Sequence, residues 1–146
     1  MFRSDNTGKL ILRLALGLLI LLHGIAKLRA GTAGLAGVSG MLASHDLPGV
    51  LANLVFVGEV IAPMLLIVGL FTRMAALVVA VNMLVAIWLV HTTELATLNG
   101  QGGWALELQG MYLFSALALA YMGGGRFGLG GSGSARLDWN GERRRN

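Results

Sequence analysis

Four long apolar runs, at residues 10–28, 51–71, 74–90 and 104–122, take up most of this 146-residue chain. A helix needs about 20 mostly apolar residues to cross a bilayer core roughly 30 Å thick. The fold expected is therefore all-α and integral to a membrane, a bundle of four transmembrane helices. Composition argues the same way. The chain is 55% hydrophobic and 12% charged, with a mean hydropathy of +0.73. Soluble domains average about 25% charged residues, so a soluble fold would have to bury four long apolar helices behind too little polar surface. The 22 glycines fit the same picture, because glycine lets membrane helices approach closely.

The basic residues set an orientation. If the connections alternate sides, the N-terminal tail, the turn between the second and third runs and the C-terminal tail share one side. That side carries Arg3, Lys9, Arg73, Arg126, Arg136, Arg143, Arg144 and Arg145, against Lys27 and Arg29 on the other. Positive charge concentrates on the cytoplasmic side of membrane proteins, so both termini are expected there. A net charge of +4 placed at membrane ends answers to anionic lipid head groups, and no nucleic-acid partner is expected. The chain has no cysteine, which excludes thiol–disulfide chemistry, an Fe–S cluster and a thiolate metal site. Arg13 interrupts the first run, whose far end holds His23, Gly24 and Lys27 rather than a small-residue cleavage site, so this run reads as a span and not as a signal peptide. The domain division expected is a four-helix membrane domain over 1–126 and a flexible Gly/Ser-rich basic tail over 127–146.

The polar residues inside the runs are the candidates for function. Ionisable groups in membrane spans are costly and face the bundle interior or a wet cavity. At about 1.5 Å of rise per residue, His23, Lys27, Glu59, His91 and Glu107 all fall in the outer half of the bundle. His23 and Lys27 share a face at i,i+4, and Glu59 and Glu107 supply opposite charge at compatible depths. The cluster reads either as an outward-opening polar pocket, for a quinone-like head group or a proton relay, or as an ion-pair network locking the helices. No Glu-x-x-His motif of the di-iron kind is present, and no metal is expected. Arg13, near the cytoplasmic end, is expected to snorkel to phosphates. Asn82 is expected to make an interhelical hydrogen bond. Gly17 and Gly24, seven apart, form a close-packing seam. Pro63 should kink the second span and free a carbonyl near Glu59. Val38, Met41 and Leu42 lie at helical spacing in the longest connection, where an interfacial helix fits.

The motifs Arg13-x3-Gly17, His23-Gly24-Ile25-Ala26-Lys27, Gly58-Glu59, Gly69-Leu70-Phe71-Thr72-Arg73, Gly102-Gly103-Trp104-x2-Glu107 and Leu137-Asp138, in that order around four spans, resemble the DoxX family over about residues 8–140. The resemblance implies a small four-helix protein of the bacterial inner (plasma) membrane. Relatives include the small subunit of an archaeal thiosulfate:quinone oxidoreductase and a mycobacterial member associated with a membrane oxidoreductase complex that handles oxidative stress. The family tail runs Gly-Pro-Gly and then Ser-Leu-Asp. Here it is Gly123-Gly124-Gly125-Arg126, with Ala135-Arg136-Leu137-Asp138 further on, so any docking of that tail is altered.

Three functions follow as expectations. The first is an accessory component of a redox or quinone-linked membrane system, with an oxidoreductase subunit as partner. The second is a small transporter or a lipophile- or quinone-binding protein that uses the polar pocket. The third is an enzyme acting on a quinone or lipid. No cofactor ligation is visible. Beyond the lipid bilayer itself, the glycines of the first span leave a homo-oligomer open alongside internal packing.

Overall fold

A computed structural model describes residues 5–130, and among these every regular element is helical. Helix α1 spans Asp5–Arg29, α2 Thr32–Ala43, α3 Gly49–Val68, α4 Thr72–Val90 and α5 Glu107–Met122. By length and composition α1, α3 and α4 can each cross a membrane. Helix α5 has 16 residues, a length of about 24 Å, which is shorter than the run of 104–122 led one to expect. The difference lies at its start. Trp104 does not open the helix. It pairs with Leu98 in an isolated antiparallel bridge, its indole Nε1–H donates to the Leu95 carbonyl at 2.9 Å, and Asn99 Oδ1 accepts from the Gln101 and Gly103 N–H groups. These bonds hold 95–104 as a folded connection, and the α-helix begins only at Glu107.

The interior of the bundle is built from small and medium apolar side chains. Leu16 and Ile20 of α1, Ala62 and Leu66 of α3, Ala76 and Val79 of α4, and Ala116 and Leu119 of α5 are buried together. Large side chains such as Ile11, Leu22, Met111 and Phe114 point outward, which is the arrangement a lipid solvent permits and water does not. Gly17 and Gly24 face α3. A methyl at Gly17 would meet Ile67 Cγ1 at 2.8 Å, and one at Gly24 would overlap the Glu59 carbonyl. The seam is thus internal to the monomer.

Helix α3 is not uniform. It begins as a 3-10 helix over Gly49–Leu54, passes through a π-helical turn over Val57–Ile61, and becomes α-helical only from Ala62. Pro63 explains the change. It has no N–H for the carbonyl four residues back, and the chain instead closes a wider turn in which the Ala62 N–H bonds the Val57 carbonyl. Pro63 therefore widens the helix just ahead of it, and the Glu59 carbonyl faces the bare Cα of Gly24. At the other end of α3, Gly69 takes φ 79° and both Gly69 and Leu70 donate to the Leu65 carbonyl, a left-handed helix stop. The connection after α1 does form the helix its spacing promised. α2 packs across the 3-10 segment of α3 and the end of α1.

Candidate functional site

The end of the bundle that holds Lys27 contains a cleft of about 680 Å³ between α2, α3 and α4. Val38, Met41 and Leu42 of α2, Leu54 of α3, and Val85 and Trp88 of α4 supply its apolar wall, and its polar groups are Lys27, Glu59 and Asn82. Clefts that hold small lipophilic molecules are of this size and this composition, mostly apolar with a few convergent polar groups. A smaller hollow of about 270 Å³, between Leu77, Leu117, Ala120 and Tyr121, has the Tyr121 phenol as its one polar group.

Local sequence builds the polar head of the cleft. Gly24 lets α1 close onto the π turn of α3, and Lys27 then lies one turn further along α1, level with Glu59. Its Nζ donates to both carboxylate oxygens, at 2.6 Å to Oε2 and in a second bond to Oε1. Glu59 is 7% exposed, while 28% of the Lys27 side chain remains exposed, so the ammonium is the accessible partner. A buried carboxylate needs such a cation, since an unpaired one costs several kcal/mol. Asn82 lies across from the pair on α4. Its amide packs over Gly58, where any β-carbon would overlap it. Asn82 makes no hydrogen bond among the described residues, so the expected interhelical bond is not formed. The amide fills the space that Gly58 leaves and lines the cleft.

The remaining polar candidates of the same half lie elsewhere. His23 is exposed and sits edge-on to Tyr112 of α5, with ring centroids 6.1 Å apart. The i,i+4 step along α1 carries a rotation of about 40°, which turns His23 toward α5 and Lys27 toward α3. His91 closes α4, with Nδ1 2.7 Å from Glu94 Oε2 and Nε2 3.2 Å from Gln109 Nε2. The ring therefore donates from Nδ1 and accepts at Nε2. Glu107 is exposed in the first turn of α5, with its carboxylate against Gly103, where the helix dipole favours an anion. Among the described residues, no three His, Asp or Glu side chains are grouped as metal ligands. One contact had no signal in the sequence. His45, beyond α2, packs on Trp88 of α4 with the rings tilted by 49° and their centroids 4.9 Å apart, and so ties α2 over the cleft.

Arg13 occupies the opposite end. It is 1% exposed and does not snorkel. Its Nη1 donates to the Gly124 carbonyl at 2.9 Å and its Nη2 to the Phe127 carbonyl at 3.3 Å. Gly69 and Gly128 leave the room, since a β-carbon at either would crowd the guanidinium, and one at Gly124 would press on the Thr72 hydroxyl beside it. The segment after α5 continues onto the end of α3, where the Gly130 N–H reaches the Gly69 carbonyl at 3.1 Å. Arg73 lies beside Gly123, where a β-carbon would meet its Nε at 3.2 Å. Of the tail expected to be flexible over 127–146, residues 127–130 make the contacts just given, and the rest, Asp138 included, falls outside the described residues.

Of the motifs that resembled a family, those of α1, α3 and the turn after α3 map onto two structural nodes, the Lys27–Glu59 pair and the Arg13 anchor, while that of residues 102–107 lies at the connection into α5. A family model, DoxX, matches residues 8–92. The chain belongs to the DoxX family. The matched segment carries Arg13, Gly17, His23, Gly24, Lys27, Glu59, Arg73, Asn82 and His91, and ends before α5. Neither a curated protein nor a solved structure matches. With its apolar helices, this DoxX chain is a membrane protein.

Proposed function

We propose that this DoxX protein holds a lipophilic molecule, by its polar end, in the cleft between α2, α3 and α4. The observation that carries the reading is the coincidence, in one apolar cleft of about 680 Å³, of a cation held by a buried carboxylate and an amide with no hydrogen-bond partner among the described residues. A purely structural ion pair needs neither the cleft nor the open amide. The π turn that carries Glu59 adds support, because such turns are frequent at functional sites. The accessory redox role expected from the resemblance rests on what relatives do, whereas the cleft is a property of this chain. A lipophile held here could serve such a system or be moved across the membrane, and both roles pass through the same binding step.

The proposal includes a topology in which α1, α3, α4 and the shorter α5 all cross, with both termini in the cytoplasm of a bacterial cell and the cleft in the outer half of the inner membrane. The positive charge at the Arg13 end supports it.

The binding step is tested by filling the cleft. Ala86 lines it, and Ala86→Trp should reduce the amount of lipophile retained through gentle extraction by about tenfold or more, as read by mass spectrometry of the purified protein. Leu22→Trp, on the outer surface of α1, should retain it in full. Equal retention in both variants overturns the reading.

A further inference from the structure

The same cleft reads the charge of its occupant. We infer that its ligand is an uncharged lipophile whose polar end carries a hydrogen-bond-accepting carbonyl, and that anionic and cationic lipids are rejected. The inference rests on the binding role proposed above and adds the class of ligand.

Charge accounting comes first. Among the described residues, Lys27 and Glu59 are the ionic groups lining the cleft, and they neutralise one another through two hydrogen bonds from one ammonium to one carboxylate. Among the described residues, no other ionisable group of this end lines the cleft, and His45, which covers Trp88 from beyond α2, has its Nδ1 against the Met41 carbonyl. His23 faces Tyr112, His91 is held by Glu94 and Gln109, and Glu107 lies on α5 against Gly103. A fatty-acid carboxylate or a lipid phosphate entering this space would shed its hydration and find its one cation already committed. A lipophilic amine would meet the same obstacle at Glu59. Burying a charge without a free counter-charge is among the costliest events in a low-dielectric site.

Hydrogen-bond accounting then sets the head group. An ammonium has three N–H donors and no acceptor capacity. Two of the Lys27 donors go to Glu59, and the third is left on the exposed side of the pair. Asn82 offers an amide N–H2 and an amide oxygen, neither of them bonded within the described residues. The rest of the wall is aliphatic apart from Trp88. A carbonyl oxygen placed between Lys27 and Asn82 accepts from both without changing the net charge, and the chain behind it lies along Val38, Leu42 and Leu54. Asn82 acts as the positioning residue, because a second donor fixes the direction of the carbonyl as well as its location.

The test uses the full chain in an uncharged detergent and three probes of matched chain length, 2-tridecanone, dodecanoic acid and dodecylamine, offered at equal concentration and counted by native mass spectrometry. The protein should retain the ketone about tenfold or more over the acid and the amine. Lys27→Met leaves Glu59 without a counter-charge and should turn the preference to the amine. Glu59→Gln leaves a free cation and should turn it to the acid. Asn82→Leu should lower ketone retention without creating a preference for either charged probe. A native protein that retains the acid or the amine best overturns the inference while the cleft remains a binding site. Unchanged preference in both charge variants, with the ketone still bound, also overturns it. Loss of every probe, together with no effect of Ala86→Trp on co-extracted material, overturns the inference and the binding role together. The unsubstituted protein's selectivity decides the matter if either charge variant fails to fold.

Discussion

At the scale of single residues, the Lys27–Glu59 pair and Arg13 were selected by different reasoning and meet different fates. Depth along the runs picked out Lys27 and Glu59, and they are bonded. Depth equally picked out His23, His91 and Glu107, which are not joined to them, because depth fixes height in the bundle and not direction around it. Breaking a buried pair from one side leaves a charge uncompensated, at a cost of about 3–5 kcal/mol. Since Lys27 keeps partial access to its surroundings, the lower end applies. Lys27→Met and Glu59→Gln should each lower thermal stability in detergent, and the double variant should recover part of the loss. Glu107→Gln combined with Lys27→Met should lower stability additively, because the two side chains do not touch, and a measured coupling between them would contradict the pairing described here. For Arg13, the run suggested a side chain reaching out to phosphates, but the glycines around it open a buried seat lined with carbonyls. Hydrogen bonds from a charged donor contribute about 1.5–3 kcal/mol each. Arg13→Met should therefore raise amide hydrogen exchange at Gly124–Phe127 and destabilise the protein. Arg13→Lys should not rescue it, since an ammonium lacks the rigid fork that spans two carbonyls. Unaltered exchange in that loop would show that Arg13 does not anchor it.

At the scale of elements, the existence of α1, α3, α4 and α5 was legible because apolar length is a strong signal. Their ends and internal form were less so. Pro63 was read as a kink near Glu59, and what stands there is a widened π turn, because with no N–H on Pro63 the Ala62 N–H bonds the Val57 carbonyl, five residues back. Trp104 belongs to a folded connection, since a tryptophan beside glycines satisfies an interface and a turn equally well, and only the Leu95 carbonyl and the Leu98 bridge decide between them. The α1–α3 crossing yields a direct prediction. Gly24→Ala would set a methyl against the Glu59 carbonyl, and overpacking of this kind costs about 1–3 kcal/mol. Beyond that loss, it should push α1 away from α3 and weaken the Lys27–Glu59 pair, so that Gly24→Ala and Lys27→Met are less than additive in thermal stability. Additive losses would mean that Gly24 does not set the geometry of the pair.

At the scale of the whole molecule, orientation is the quantity to measure. The absence of cysteine makes single-site labelling clean. Gly100→Cys, in the open connection before α5, should react with a membrane-impermeant thiol reagent in intact cells, and Leu129→Cys, exposed at the Arg13 end, should react only after the membrane is opened. The reverse pattern would put the cleft in the cytoplasmic half, and reaction at both sites would mean that α5 does not cross. What the amino-acid sequence determined by itself was membership of a membrane, the helical class, the rough spans and the set of costly polar residues, because each depends on local apolar length and on the price of charge in hydrocarbon. What only the tertiary structure decided was which of those residues meet. That Lys27 faces Glu59 while His23 turns to Tyr112, that Asn82 looks into a cleft, and that α2 and the His45–Trp88 contact close over it all follow from rotation about helix axes and from close approach at Gly17, Gly24 and Gly58. Those are properties of packing between segments far apart in the chain, and a hydropathy pattern carries no term for them.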